Sequence, residues 1–305
     1  MYTHYKKFIK HIKDYYQLYI LVLPAVIIIF LFNYIPMYGV QIAFREFDPS
    51  KGFIGGEFVG LKYFIKFIKS FQFADLIKNT FFLSLYTIVA GFPVPIILAL
   101  VINQIKNAKV KKVVQTVSYM PHFISVIVLV GMLSIFLSPS SGIIGHLYTA
   151  LGLKPVNFMG VPKYFRSIYV LSDIWQHSGW NSIIYIAALS AVDPSLYEAA
   201  EVDGANRWQK LIMIDIPSLV PTIIILLILN SGNIMNVGFE KVYLMQNSMN
   251  LPVSEVISTY VYKIGIMSNQ ISYSSAIGLF NTLINFVFLV TVNFISKKTS
   301  DISLW

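Results

Sequence analysis

Polar side chains recur at helical spacing inside an otherwise apolar stretch, residues 167–191. When successive residues are placed about 100° apart around a helix axis, one face about 100° wide collects Asp173, Gln176, His177 and Trp180, with Asn181 at its edge. Carboxylate, amide and imidazole groups exchange hydrogen bonds with hydroxyl groups, and an indole ring offers a flat apolar surface. A face of this kind suits a molecule rich in hydroxyl groups, such as a sugar.

Asparagine residues repeat in two later apolar stretches. In residues 218–237, Asn230 and Asn233 are neighbours on one helical face. In residues 273–295, Asn281 and Asn285 share one face. Two interpretations stay open for all of these positions: the side chains line a polar pathway, or they form hydrogen bonds between packed membrane helices.

The composition places these polar positions in a membrane protein. The chain has 305 residues, of which 56% are hydrophobic and 12% charged, and its mean hydropathy is +0.67. Soluble domains carry about 25% charged residues, so an ordinary soluble enzyme is excluded. Cysteine is absent, which excludes disulfides and thiolate metal sites. We therefore predict an all-α, polytopic membrane protein.

Six segments have the length and apolarity that a bilayer crossing of about 20 helical residues requires. They are Tyr19–Tyr38, Thr80–Ile102, Val113–Leu137, Ser167–Ala191, Ser218–Val237 and Tyr273–Ile295. The fourth is the weakest, because its polar face lowers its apolarity. The sequence shows no internal repeat and no soluble domain.

Positive charge predicts the orientation of these segments. Lysines are concentrated before the first segment, in the loop Gln104–Lys112 and after the last segment, and Arg207 and Lys210 lie between the fourth and fifth. Cytoplasmic loops are enriched in Lys and Arg, so both termini are predicted in the cytoplasm. Residues 2–16 mix lysines with apolar residues, which fits either an interfacial helix or a solvated basic tail. The net charge of +9 is assigned to the membrane surface, and no nucleic-acid partner is predicted.

Several kinds of catalytic site are missing from the sequence. No glycine-rich run ends in Gly-Lys-Ser/Thr, so the chain has no phosphate-binding loop for ATP. The histidines form no His-x-x-x-His pair, and no Gly-x-Ser-x-Gly motif is present. The chain itself is predicted not to be an enzyme and to bind neither a metal nor a cofactor. His122, in the sequence Met-Pro-His-Phe, is interpreted as a packing residue.

The predicted cytoplasmic loop 193–217 carries a dense set of turn signals. Ser195 and Glu198 have the spacing of a capping box, so a short helix is predicted to begin at Ser195. Gly204 can adopt the left-handed conformation that ends a helix, and a second helix is predicted from about Ala205. Taken singly, these residues describe an ordinary surface hairpin.

Taken together, they form a long spaced pattern, Glu198-Ala199-Ala200, three residues, Gly204, nine residues, and Ile-Asp-Ile-Pro217. This pattern resembles the EAA loop of type I ABC importer permeases, with isoleucine at 216 where leucine is usual. Strings along nearly the whole chain are similar to the sugar-importer branch, particularly its LplB-like group. They begin at Ile35, Phe58, Met120, Gly179, Phe239 and Ser258, and the chain ends in Leu-Trp as that group does.

The resemblance implies a MetI-like core and an energy source outside this chain. The domain organisation it implies is an N-terminal part at 1–72, a transmembrane domain at 73–296 containing the loop 193–217, and a cytoplasmic tail at 297–305. Ser195–Arg207 would be the coupling helix that contacts an ATPase subunit. The residues assigned to this coupling are Ser195, Glu198, Ala199, Ala200, Asp203, Gly204, Ala205, Arg207 and Pro217.

The resemblance also implies the partners and the location. They are a second, non-identical permease subunit, two ATPase subunits that hold ATP and magnesium, and an extracellular solute-binding protein. The expected location is the bacterial cell membrane, and the expected cargo is an oligosaccharide. Two alternatives are an ABC permease for a non-sugar solute and an ion-coupled carrier that uses Asp173 and His177 as a proton relay.

Overall fold

The computed structural model describes residues 11, 14–52, 55–300 and 302–305, and within these ranges the regular structure is helical, apart from two isolated β-bridges. The chain divides into two compact units. One consists of the chain up to Phe67 together with Ile264–Leu279, and the other of Ile68–Lys263 together with Phe280–Trp305. The all-α prediction is confirmed.

The first helix, α1, spans Tyr16–Phe44 and belongs to the first unit. None of the residues in its most apolar window is buried. It is longer than the predicted segment because it begins three residues earlier and continues through π-helical and 3₁₀ turns to Phe44. The predicted interfacial segment 2–16 lies largely outside the described residues.

The second predicted segment consists of two helices, α3 (Phe73–Gly91) and α4 (Pro93–Asn103), which together form one apolar run of 31 residues. A short helix, α2 (Lys62–Ile68), precedes them. Proline at the first position of α4 donates no backbone hydrogen bond, which accounts for the break between α3 and α4.

The third predicted segment is not one straight helix but a bent pair, which makes one span only if its two parts cross the membrane together. Helix α5 (Ala108–Tyr119) passes through a 3₁₀ turn into α6 (Val126–Phe136), and the two parts meet at 94°. Pro121 lies in the turn and cannot donate a backbone hydrogen bond. Ser125 then caps α6, because its Oγ accepts a hydrogen bond from the Val128 N–H at 3.3 Å.

Helix α8 (Pro162–Ser190) runs through the centre of the second unit and packs against α3, α4, α5 and the later helix α11. The helix α7 (Ile143–Ala150) precedes it. Two apolar clusters flank α8, one around Phe165 and Val170 and the other around Tyr185 and Leu189. At Gly179 a side chain would overlap the Ser118 carbonyl of α5, so α8 and α5 touch through their backbones.

The loop after α8 forms α9 (Pro194–Val202) and α10 (Arg207–Lys210), and a π-helical turn, Leu211–Asp215, leads into α11 (Ile216–Ser231). The fifth predicted segment extended to Val237, but α11 ends at Ser231, so Asn233 lies in the turn that follows. The remaining helices are α12 (Phe239–Met245), α13 (Leu251–Ser254), α14 (Ile257–Tyr262) and α15 (Ile271–Ser300).

Length and composition identify four helical runs among the described residues that can cross a membrane. They are Tyr16–Phe44, Phe73–Asn103, Arg207–Ser231 and Ile271–Ser300, and the bent pair α5–α6 makes a fifth if it counts as one span. Helix α8 is 29 residues long, about 43 Å at 1.5 Å per residue, and is not among the apolar runs. The sixth crossing, through α8, stays a prediction.

Candidate functional site

The second unit contains a partly open cavity of about 480 Å³ between α3, α4, α8 and α11. Its polar lining comes chiefly from the middle of α8, and its apolar lining includes Phe92, Pro95 and Leu226. Small-molecule sites have volumes of about 300–1,000 Å³ and combine apolar walls with a few polar groups. The cavity therefore has the size and lining of a ligand site.

Five of the nine residues predicted to form a pathway line this cavity. They are Asp173, His177, Trp180, Asn181 and Asn230. The helical spacing on α8 thus brings most of its polar face to one side, as the sequence predicts. Gln176, Asn233, Asn281 and Asn285 are not part of the cavity wall.

Gln176 instead supports the bend between α5 and α6. It is 2% exposed, and its Nε2 donates a hydrogen bond to the Ile124 carbonyl at 2.7 Å. Helix breaks at membrane depth are tolerated when neighbouring side chains satisfy the freed backbone groups. Gln176 therefore agrees with the second interpretation of the polar positions, in which they form hydrogen bonds between packed helices.

The asparagines of α15 also bond to neighbouring segments. The Asn285 side chain is buried, and its Oδ1 accepts a hydrogen bond from the Met235 N–H at 2.8 Å. Asn281 donates to the Asn236 Oδ1 at 2.9 Å, and Asn236 in turn donates to the Asn233 Oδ1 at 3.3 Å. These bonds tie α15 to the turn after α11.

Sequence reasoning missed a lysine beside the cavity. Lys241, on α12, is 4% exposed, and its Nζ lies 3.3 Å from the Asp173 Oδ1. The same Nζ donates to the Tyr169 carbonyl at 3.1 Å and lies 4.8 Å from the centre of the Tyr169 ring. The same Asp173 Oδ1 also lies 3.3 Å from the His177 Nδ1. Lys241 and Asp173 are 68 residues apart in sequence, so no local spacing indicates their contact.

An aromatic group continues the cavity wall beyond His177. The rings of His122 and Trp180 stack at 4.5 Å with an angle of 5° between their planes, and the rings of His122 and His177 meet edge-on at 5.5 Å. Trp180 nevertheless keeps 41% of its surface exposed. His122 therefore packs against the indole, as its interpretation as a packing residue proposes. Among the described residues, no cluster of three or more His, Cys, Asp or Glu side chains has a metal-binding arrangement.

The cytoplasmic loop begins with a different cap from the one predicted. Helix α9 starts at Pro194, and Asp193 is its cap, because the Asp193 Oδ1 accepts a hydrogen bond from the Ser195 N–H at 2.9 Å. The capping box assigned to Ser195 and Glu198 is therefore wrong. Pro194 is suited to the first helical position because its φ is fixed and it has no N–H to satisfy. The hydrogen bonds to Ser195 hold the pKa of the Asp193 carboxyl below its usual value.

The turn at Gly204 has the predicted conformation. Its φ is +75°, in the left-handed region, and the N–H groups of Gly204 and Ala205 donate to the carbonyls of Glu201 and Ala200 at 3.1 and 2.8 Å. The loop's actual capping box is at Asn206 and Gln209, which begin the second helix. The two helices of the loop are also joined by a 2.6 Å ion pair between Lys210 and Glu201, and this lysine lowers the pKa of Glu201.

A buried carboxylate fixes this loop to two long helices. Asp215 is fully buried, and its Oδ1 accepts a hydrogen bond from the Tyr197 hydroxyl at 2.5 Å, while its Oδ2 accepts one from the Gln104 Nε2 at 3.0 Å. Burial, together with the hydrogen bond to Asp215 and the charge of that carboxylate, raises the pKa of Tyr197 to about 12. The phenol therefore remains a hydrogen-bond donor at any physiological pH. Sequence reasoning missed this contact because Asp215 is 18 residues from Tyr197 and 111 residues from Gln104 in sequence.

The loop also presents apolar side chains to its surroundings. Val202 is 88% exposed and Trp208 73% exposed, and Leu196 is half exposed. Glu198 and Ala199 are exposed as well. Exposed apolar groups rimmed by polar ones are typical of protein–protein contact sites.

Comparisons with known proteins agree on one family. The profile described as "Binding-protein-dependent transport system inner membrane component" matches residues 91–301. The chain is 41% identical to the polygalacturonan/rhamnogalacturonan transport system permease protein YteP of Bacillus subtilis, over 93% of this chain and 88% of that protein. It is 40% identical to protein LplB of the same organism, over 92% of this chain and 88% of that protein.

Solved structures are similar over almost the entire chain. The crystal structure of a bacterial ABC transporter involved in the import of the acidic polysaccharide alginate matches with a TM-score of 0.87 and 38% identity, covering 96% of this chain and 99% of that one. A second structure of the alginate transporter, in complex with an alginate pentasaccharide-bound periplasmic protein, matches with a TM-score of 0.86 and 39% identity. It covers 97% of this chain and 99% of that one.

Proposed function

Because the chain belongs to the family of binding-protein-dependent transport system inner membrane components, we propose that it carries an oligosaccharide through the cavity beside α8. It is the transmembrane permease of an ABC importer, and in this family ATP hydrolysis is carried by separate subunits. Its relatives are named for polygalacturonan, rhamnogalacturonan and alginate, which supports a saccharide as the cargo. The same membership argues against the ion-coupled carrier.

The cavity lining is the observation that carries this proposal. Asn181, Asn230 and Asp173 offer hydrogen bonds to hydroxyl groups, which lose water when a sugar enters a closed site. Each replaced hydrogen bond contributes about 1 kcal/mol net. The exposed part of the Trp180 ring supplies the apolar surface that a pyranose ring needs. Amide and indole groups on α8 are thus proposed to bind the sugar in transit.

The coupling loop is proposed to move the walls of this cavity. Asp215 joins α9 to the end of α4 through Gln104 and leads directly into α11. Helices α4 and α11 also line the cavity, through Pro95 and Leu226. When two ATPase subunits close on ATP, a displacement of α9 would therefore reach the cavity through two helices, which fits rigid-body alternating access.

The proposed assembly completes this arrangement. The exposed loop residues Leu196, Val202 and Trp208 are proposed to contact an ATPase subunit. A second, non-identical permease subunit would close the transport route, and an extracellular solute-binding protein would deliver the saccharide. The proposed location is the bacterial inner membrane, with both termini in the cytoplasm.

Two tryptophans on α8 allow a matched test. Trp180 lines the cavity, whereas Trp175 is 51% exposed and does not. In proteoliposomes containing the full transporter and its binding protein, Trp180→Ala is expected to slow saccharide uptake at least tenfold, and Trp175→Ala less than threefold. Equal effects of the two substitutions, with both complexes assembled, would contradict a sugar route along this face of α8.

A further inference from the structure

Two groups determine the charge that a passing molecule meets in the cavity. Among the described residues that line it, Asp173 is the acidic side chain and His177 the basic one. The Asp173 side chain is 28% exposed, whereas the Lys241 side chain is 5% exposed and is not part of the lining. A substrate in the cavity therefore contacts the Asp173 carboxylate directly. The Lys241 ammonium group affects the substrate only by changing the charge at this carboxylate.

Lys241 cancels the charge of this carboxylate. Its Nζ is held 3.3 Å from the Asp173 Oδ1 by the Tyr169 carbonyl and by the face of the Tyr169 ring. The ammonium group and the carboxylate sum to zero charge. Without Lys241, the carboxylate would keep only the His177 imidazole beside it, in a partly buried site where charges interact more strongly than in water.

We infer that Lys241 is a specificity-determining residue, which neutralises Asp173 so that the cavity admits oligosaccharides bearing carboxylate groups. This inference rests on the proposed saccharide import and narrows its substrate to acidic oligosaccharides. A neutral sugar would pass a lone carboxylate, because its hydroxyl groups can donate hydrogen bonds to it. The carboxylate of a uronate would be repelled by a lone Asp173 carboxylate. A lysine beside Asp173 is therefore needed for an acidic cargo and not for a neutral one.

The test uses the complete transporter in proteoliposomes, with the same binding protein throughout. The probes are galacturonate and alginate oligosaccharides and the same oligosaccharides after reduction of their carboxyl groups. Lys241→Met is expected to lower uptake of the acidic probe at least tenfold. The double variant Asp173→Asn/Lys241→Met is expected to restore it to within threefold of the wild type, because no carboxylate then needs a counter-charge. Relief of an unpaired buried charge would also repair a purely structural defect, so the reduced probe is the control: assembled Lys241→Met should take it up within threefold of the wild type, and an equal loss of both probes would contradict the inference.

Each contrary result has a separate meaning. Wild-type uptake of reduced probes without uptake of acidic ones would overturn the acidic class and leave saccharide import intact. Absence of uptake of every saccharide would overturn the proposed function itself. An assembled double variant as slow as Lys241→Met would overturn the role of Lys241. If Lys241→Met alone does not assemble, the double variant is compared with Asp173→Asn, and a tenfold gap in acidic uptake between these two contradicts the inference.

Discussion

The hydroxyl of Tyr197 and the carboxylate of Asp215 are joined by a hydrogen bond of 2.5 Å between α9 and the residue that precedes α11. Tyr197 lies in the middle of α9, and Asp215 is the last residue before α11 begins. A hydrogen bond to a buried charged group contributes about 1.5–3 kcal/mol. The bond therefore holds α9 in a fixed position relative to the membrane helices.

Removal of this bond should separate ATP hydrolysis from transport. Tyr197→Phe keeps the ring and deletes only the donor, so we expect assembly of the complex and a severalfold fall in saccharide imported per ATP hydrolysed. The measurement is uptake and ATPase activity in the same proteoliposomes. Tyr148→Phe, on α7, is the matched control and should leave the ratio unchanged. An unchanged ratio for Tyr197→Phe would show that the loop transmits motion without this contact.

The bend between α5 and α6 should depend on a single side chain. Gln176→Ala leaves the partly buried Ile124 carbonyl without this donor, at a cost of about 1 kcal/mol. We expect a lower thermal unfolding midpoint for the detergent-solubilised complex. Asn181→Ala, on the same helix, faces the cavity and should change the midpoint much less. Equal midpoints for the two variants would mean that water or another group satisfies Ile124.

The orientation can be tested by labelling, because the chain contains no cysteine. We predict that Lys109 and Arg207 face the cytoplasm and that Lys154 and Asn247 face outward. Lys154→Cys is the better external probe, since the Asn247 side chain donates to the Met159 carbonyl and accepts from nearby N–H groups. In intact cells an impermeant thiol reagent should label position 154 and not 207. Labelling at 207 alone would reverse the orientation and remove the loop from the ATPase.

The features that local sequence could predict are those set by neighbouring residues. Hydropathy located the apolar segments, and the need for a left-handed residue identified Gly204 as a turn. Helical periodicity also placed Asp173, His177 and Trp180 on one side of α8. Each of these depends on interactions within a few turns of the chain.

The features that were missed depend on partners distant in sequence or on competition between similar local signals. The contact between Lys241 and Asp173 forms only when α12 packs against α8. The hydrogen bond from Gln176 to the Ile124 carbonyl forms only because the chain bends between α5 and α6. Ser195 and Asp193 both have side chains that cap helices, and Pro194 decides between them because it takes the first helical position. The end of α11 at Ser231 likewise could not be read from hydropathy, since the apolar composition continues beyond it.

The π-helical turn at Leu211–Asp215 has a consequence for insertions and deletions in this region. A π-turn contains one residue more than the α-helical turn it interrupts. Deleting one residue between 211 and 215 should therefore restore a regular α-helical turn and leave Arg207 and Trp208 nearly unrotated relative to α11. Deleting a second residue would rotate them by about 100°, because a regular α-helix cannot absorb the loss. The stretch between Gly204 and Pro217 should therefore tolerate the loss of one residue from the π-turn better than any further change in its length.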